Sequence, residues 1–167
     1  SCRRRPGLKS LLARRTRIRG GTVLDGRNHR APPGGRRRCF RTAGGTPATG
    51  GYGCETGAAK ITQGYNLPAK WVIHTVGPVW RGGTHEEDRL LADCYRNCLL
   101  LAQQKNIQSI AFPAISTGIY GFPVDRATRI AFSEIKNHCL KNPLPERVVL
   151  VCFDSHTYQT YTGLSIP

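Results

Sequence analysis

From Ala58 onward, hydrophobic and polar positions switch regularly between a strand-like period and a helix-like one. Ala58–Tyr65 reads as a short strand, and Asn66-Leu67-Pro68 follows as a turn. Trp71–Val76 is β-rich and stops at Gly77-Pro78. Thr84 then precedes Glu86, Glu87 and Asp88, which reads as an N-cap with acids in the first turn, where the helix dipole favours negative charge. Leu90, Leu91, Cys94, Tyr95, Cys98, Leu99 and Ala102 recur at spacings of three and four, predicting an amphipathic helix that ends near Lys105-Asn106. Ser109–Ala114 is a short buried strand leading into a loop, Ile115–Pro123. A second helix is predicted over Asp125–Cys139, with Ala127, Ile130, Ala131, Phe132 and Ile135 inward. Arg147–Phe153 is a continuous apolar run of the kind a sheet buries on both faces. Strands alternating with helices in this way predict an α/β layer fold with largely parallel neighbours.

Residues 1–57 do not carry that pattern. Ser1–Arg19 scatters Leu among Arg with little period, and Thr42–Gly53 is Gly- and Thr-rich with almost no aliphatic residues. By composition this third is a loop-rich or disordered basic arm, because it offers little apolar surface to offset the entropy of ordering. Charge follows the same division. The 167 residues carry a formal +15, from 25 Lys and Arg against 10 Asp and Glu. Residues 1–50 hold 14 of those bases against one acid, Asp25, and the remaining 11 bases and 9 acids fall beyond. The high pI therefore belongs to the first third, so the overall charge does not mark the whole chain as a nucleic-acid binder. The length favours one domain. No apolar run approaches the roughly 20 residues of a membrane span, and no apolar stretch follows the basic Ser1–Arg5 as in a secretory leader. A cytoplasmic protein with no membrane partner is the expectation.

Seven cysteines without a CxxC pair read as small buried thiols of a reducing compartment rather than a zinc site, although Cys94 and Cys98 could share a helix face. The strongest chemical signal is Pro113-Ala114-Ile115-Ser116-Thr117-Gly118-Ile119-Tyr120-Gly121-Phe122-Pro123. A buried strand delivers the chain to a loop with two glycines, and a helix begins at once. Backbone N–H groups in such a loop, reinforced by a helix N-terminus, suit a diphosphate. The carboxyl ends of parallel strands are also where ligands sit in open α/β sheets. An ordinary strand-to-helix turn uses glycines in the same way, so the pair alone leaves both readings open.

Together with that loop, Gly64–Val79 (Gly-Tyr-Asn-Leu-Pro-Ala-Lys-Trp-Val-Ile-His-Thr-Val-Gly-Pro-Val) resembles the macrodomain family, most closely its bacterial members that hydrolyse ADP-ribosyl groups and O-acetyl-ADP-ribose. Val151-Cys152-Phe153-Asp154, followed by a tyrosine-containing terminal helix, matches the family's last strand, and the resemblance runs from about Glu55 to Tyr161. It implies a three-layer α/β/α sandwich with a mixed, largely parallel central sheet and an ADP-ribose cleft at its crest. The expected boundaries are a basic arm over 1–19 and one domain over 20–167.

By the same resemblance, Ser116, Thr117, Gly118, Ile119, Tyr120 and Gly121 cradle the diphosphate, and Tyr120 packs on the distal ribose. Phe153, followed by Asp154, stacks on the adenine; a flat π-face binds a base with little hydrogen-bond demand. His74 lies inside a strand motif and reads as structural. The N-terminal half of the site departs from the pattern. Asp25-Gly26-Arg27-Asn28-His29-Arg30-Ala31 keeps the family's Asp-Gly-x-x-His-Arg-Ala, but only Gly20 and Gly21 remain of the preceding glycine run, replaced in part by Thr22 and Val23. Ungapped counting sets Leu12 and Arg15 where the family has asparagines. Out-of-frame reading of a GC-rich gene yields such Arg-, Gly-, Pro- and Thr-rich text; if the text is instead real, the expectation is that the family's first strands are lost and the sheet has an exposed edge or another filler.

The resemblance implies hydrolysis at the distal ribose, without metal or cofactor. Asp25 would orient or activate water, and Gly20, Gly21 and Gly26 would approach the ligand. Asp-Gly is also a common turn dipeptide. Two alternatives stand beside the enzyme: an ADP-ribose reader without turnover, and a nucleic-acid binder using the Arg-rich residues 1–41.

Overall fold

The computed structural model describes Leu11–Ala13, Gly21–Asp25 and residues 54–164. Among them, six strands form one sheet: β1 (Leu11–Ala13), β2 (Gly21–Asp25), β3 (Ala59–Gln63), β4 (Trp71–Thr75), β5 (Ser109–Pro113) and β6 (Arg147–Val151). Their order is β1-β6-β5-β2-β4-β3, parallel throughout except for β3, which runs antiparallel to β4 at one edge. Three helices, α1 (Glu87–Gln104), α2 (Val124–Lys141) and α3 (Ser155–Gly163), complete the described elements. α1 lies along α2, and α2 along α3, so these helices make one layer on one face of the sheet. The second helical layer of the expected sandwich lies outside the described residues.

The period-two pattern decides which side chains meet that layer. Ile110 and Phe112 of β5, with Val148 and Leu150 of β6, join the core under the helices. Ala111, Val149 and Val151 form a separate small cluster on the other face. α1 contributes Leu91, Cys94, Tyr95, Cys98, Leu99 and Ala102, its apolar stripe, and every one is buried. Tyr95 and Phe112 meet with ring centroids 5.1 Å apart. Full burial of side chains this size contributes about 1.5–3 kcal/mol each before ordering entropy is subtracted.

Three local expectations are corrected. The first strands are not lost. β2 occupies the middle of the sheet, with Gly21–Asp25 paired to Trp71–Thr75 on one side and Gly21-Thr22 to Ile110-Ala111 on the other. The residues that replace family glycines, Thr22 and Val23, are β-branched and suit a pleated backbone, so the substitution that breaks the motif favours a strand. Leu11–Ala13, read as part of a basic arm, is the edge strand β1 paired with Val149–Val151; Leu-Leu-Ala is the apolar triplet of that stretch.

The third correction concerns the start of α1. Thr84 does not cap it; its hydroxyl meets His85 Nδ1. The helix starts from Glu86 in a left-handed conformation, and the Glu87 carboxylate turns back to accept the backbone N–H groups of Arg81 (3.0 Å), Gly83 (3.1 Å) and His85. Burial pushes this carboxyl up. The N–H groups of Glu87, His85, Arg81 and Gly83 outweigh that and hold it at about 2.

Candidate functional site

The loop after β5 is built by its own backbone. Gly121 N–H donates to the Gly118 carbonyl and Phe122 N–H to the Ser116 carbonyl, at 2.9 and 3.0 Å. Thr117 Oγ1 donates to the Ala114 carbonyl. Ile115 N–H reaches the buried phenol of Tyr95, whose hydroxyl is 3.5 Å from the Pro113 carbonyl, so α1 holds the loop at its root. Burial pushes the Tyr95 phenol well up, and it stays a neutral donor and acceptor.

What the loop leaves open is more informative. Among the described residues, no hydrogen bond takes the backbone N–H groups of Ser116, Thr117, Gly118 or Ile119. Gly118 and Ile119 are exposed, and α2 begins at Val124 without a side-chain cap. Ser116 is 2% exposed with φ 66°, and its Oγ has no partner among the described residues. A buried hydroxyl and a run of donors unengaged among the described residues, beside a helix N-terminus, are the chemistry that suits an anion.

Asp25 ends β2 opposite Thr75, at the carboxyl ends of the parallel strands, the same edge from which the loop leaves β5. Gly21 opens β2 at the other end of that strand, paired with Trp71 and Ile110. Gly20, Gly26 and Arg15 lie outside the described residues, and Leu12 pairs with Leu150 in β1, away from β2. Phe153 follows β6 and is fully exposed. Asp154 is the N-cap of α3: its Oδ1 accepts Thr157 N–H at 2.7 Å and its Oδ2 the Thr157 hydroxyl at 2.9 Å. Those two bonds hold its carboxyl below the usual range. His74 is buried and shares a hydrogen bond with Thr62 across β3 and β4.

The Macro domain family matches residues 16–131. The chain belongs to the macro domain family. The macro domain-containing protein of Methanosarcina mazei is 53% identical over 135 residues, covering 81% of this chain and 68% of that protein. The O-acetyl-ADP-ribose deacetylase of Salmonella typhimurium is 52% identical over 111 residues, 66% of this chain and 62% of that one. Among solved structures, the Oceanobacillus iheyensis macrodomain with ADP aligns with a TM-score of 0.62 at 42% identity, covering 65% of this chain and 56% of that one. The Trypanosoma brucei macrodomain in complex with ADP-ribose aligns at 0.61 and 39% identity, covering 67% and 47%. This chain thus spans about half to two thirds of the length of these relatives. The fold is the α/β macrodomain fold.

Other features of this macro domain fall away from the loop. An open groove of about 420 Å³ at the β3–β4 turn, lined by Gln63, Tyr65, Leu67 and Trp71 among others, sits at the opposite end of β4 from Thr75 and shares no residue with the loop. Cys94, Cys98 and Cys152 are buried thiols outside any disulfide among the described residues. Cys94 and Cys98 do share the inward face of α1, and burial pushes the Cys94 thiol up to about 11. The described residues contain no cluster of metal-ligating side chains. No described helix is long and apolar enough to cross a membrane.

In the sequence Gly77 reads only as a strand stop and Glu87 only as a first-turn acid, and Trp80 carries no expectation; the structure sets Gly77 and Trp80 against the macro domain's loop and Glu87 under the segment that carries Gly83. The signal available was the local text itself, Gly77-Pro78-Val79-Trp80-Arg81-Gly82-Gly83, in which a tryptophan is flanked by glycines beside an acidic helix start.

Proposed function

We propose that this macro domain binds ADP-ribose at the loop over residues 115–123 and hydrolyses a linkage at the distal ribose, that of O-acetyl-ADP-ribose or of a mono-ADP-ribosyl group. The observation that carries the reading is the run of N–H groups from Ser116 to Ile119, unengaged among the described residues, beside a start of α2 without a side-chain cap. In the proposal these amides, with Gly121 shaping the turn, receive the diphosphate, and Tyr120 packs on the distal ribose. Phe153 stacks on the adenine, its position fixed by the Asp154 cap that follows it. Asp25, at the end of β2, supports a water for attack. In ester hydrolysis, that water adds to the acetyl carbonyl and loses its proton toward Asp25. The bond from the acetyl carbon to the ribose oxygen breaks, the proton taken by Asp25 passes to that oxygen, and acetic acid, which ionises to acetate, and ADP-ribose leave.

Acetate release from O-acetyl-ADP-ribose tests the chemistry. The proposal expects turnover by the full chain and a loss of about a hundredfold or more in Asp25→Ala, the size of a positioned base. Equal rates in the two proteins would remove Asp25 from the mechanism. One observation favours the reader alternative: β2 is formed by Gly21–Asp25, with no asparagine in it. ADP-ribose binding without acetate release would establish that reading. The Arg-rich residues 1–41 read as a nucleic-acid arm fall, apart from β1 and β2, outside the described residues and carry no part of the proposal.

A further inference from the structure

Loops that bind through backbone N–H groups work only if their peptide planes already point at the ligand. One plane in this loop is fixed from both sides. The Tyr120–Gly121 peptide offers its N–H to the Gly118 carbonyl, within the loop. Its carbonyl accepts the backbone N–H of Trp80 at 2.9 Å, from a different segment. A planar peptide held at both its donor and its acceptor cannot rotate about the chain.

The side chain of Trp80 adds a second hold. Its ring meets Phe122 with centroids 4.8 Å apart at 55°, a tilted arrangement favoured by the ring quadrupoles. The Arg126 guanidinium stands 5.2 Å from the Trp80 ring centroid, in cation–π range. Arg126 is in turn held by Asp88 through Nε and Nη2, at 2.8 and 2.7 Å from the two carboxylate oxygens. Gly83 closes the arrangement: a Cβ there would stand 2.9 Å from Trp80 Cη2 and 3.3 Å from Arg126 Nη1. Glu87 fixes the segment that carries Gly83 by collecting the N–H groups of Arg81, Gly83 and His85. The starts of α1 and α2 are thereby joined around one indole, and that indole presses on the last turn of the ligand loop.

We propose that Trp80 is a positioning residue for the ligand loop, holding the Tyr120–Gly121 peptide and Phe122 so that the open amides of residues 116–119 are aimed before ligand arrives. The inference rests on the proposal that this loop receives ADP-ribose. Trp80 touches the loop and not the reacting atoms, so its effect is on loop order and on affinity.

Amide hydrogen exchange on the ligand-free protein reads loop order without any ligand. In Trp80→Ala, which keeps the backbone N–H but loses the ring, Gly121 and Phe122 amides are expected to exchange about tenfold faster, while amides of β5 and β6 hold their rates. Trp80→Phe keeps an aromatic ring against Phe122 and is expected to restore exchange to within about threefold of the original. In a Trp71→Phe background, Trp80 is the one remaining tryptophan, and its fluorescence is expected to change when ADP-ribose is added. ADP-ribose affinity of the folded protein should fall about tenfold in Trp80→Ala and recover in Trp80→Phe. Unchanged Gly121 exchange in Trp80→Ala overturns the positioning role whatever the ligand result. Accelerated exchange in a protein whose unsubstituted form fails to bind ADP-ribose would instead keep the brace and overturn the ligand reading.

Discussion

Gly77→Ala is expected to abolish ligand binding and to lower the stability of the fold by about 2–3 kcal/mol, the cost of forcing extra volume into a packed site. Gly77 is buried two residues beyond β4, directly against the root of the loop. A Cβ there would lie 2.2 Å from Ser116 Oγ and 2.7 Å from Ile115 Cγ2. Ile115 is fully buried in the core and has no room to retreat. Ser116 is 2% exposed and already holds φ 66°, where a side chain is strained. The added methyl must therefore move the first residues of the loop over 115–123.

Urea denaturation and titration with ADP-ribose give the two readouts for Gly77→Ala, with affinity expected to drop more than about a hundredfold. Adding Ser116→Gly removes the clashing hydroxyl and places glycine at a positive φ, so the double variant should regain part of the lost stability. A fully additive double variant would mean that the two residues do not press on each other.

Gly64→Ala should destabilise the fold at least as much, by about 3 kcal/mol or more, and yet spare the site. A Cβ at Gly64 would stand 1.7 Å from the carbonyl oxygen of Ala69 and 2.9 Å from its carbonyl carbon. Both are backbone atoms, so no side chain can yield. The turn is closed by Gly64 N–H to the Lys70 carbonyl and Leu67 N–H to the Gly64 carbonyl, each at 2.9 Å. Relieving the clash means opening the turn between β3 and β4. That turn lies at the far end of β4 from Thr75, so molecules that remain folded should bind ADP-ribose within about twofold of the original affinity. Compared at matched folded fraction, the two glycine variants separate damage to the site from damage to the fold.

The contrast between them also shows what could be read from the chain alone. α1 and β6 were legible because their burial is written in local period: Leu91 to Ala102 along one helix face, Val148 to Val151 alternating across a sheet. The loop between β5 and α2 was legible as a break, because two glycines stand between a strand pattern and a helix pattern, whereas a ligand role for it came only from the family resemblance. The place of β2 was not. Gly21–Asp25 is a strand only by virtue of partners at 71–75 and 110–111, and no local property of five residues specifies so distant a register. The motif resemblance began at about Glu55, whereas the family match begins at residue 16 and takes in that strand.

The start of α1 was misassigned for a related reason. Thr84 has the right chemistry for a cap, but the left-handed Glu86 turns the chain so that the Glu87 carboxylate reaches the preceding N–H groups instead. The loop contacts of Gly77 and Trp80 were missed because they run to distant neighbours, Ser116 and Ile115 for the first and Tyr120, Phe122 and Arg126 for the second.

Calorimetric titration of the full chain with ADP-ribose, with AMP as the control, tests the central claim most directly. The account predicts micromolar binding of ADP-ribose and binding of AMP at least about tenfold weaker, because AMP brings the adenine but neither the diphosphate nor the distal ribose. A folded protein that binds neither, or binds both equally, would contradict the assignment of the loop over residues 115–123 as an ADP-ribose seat.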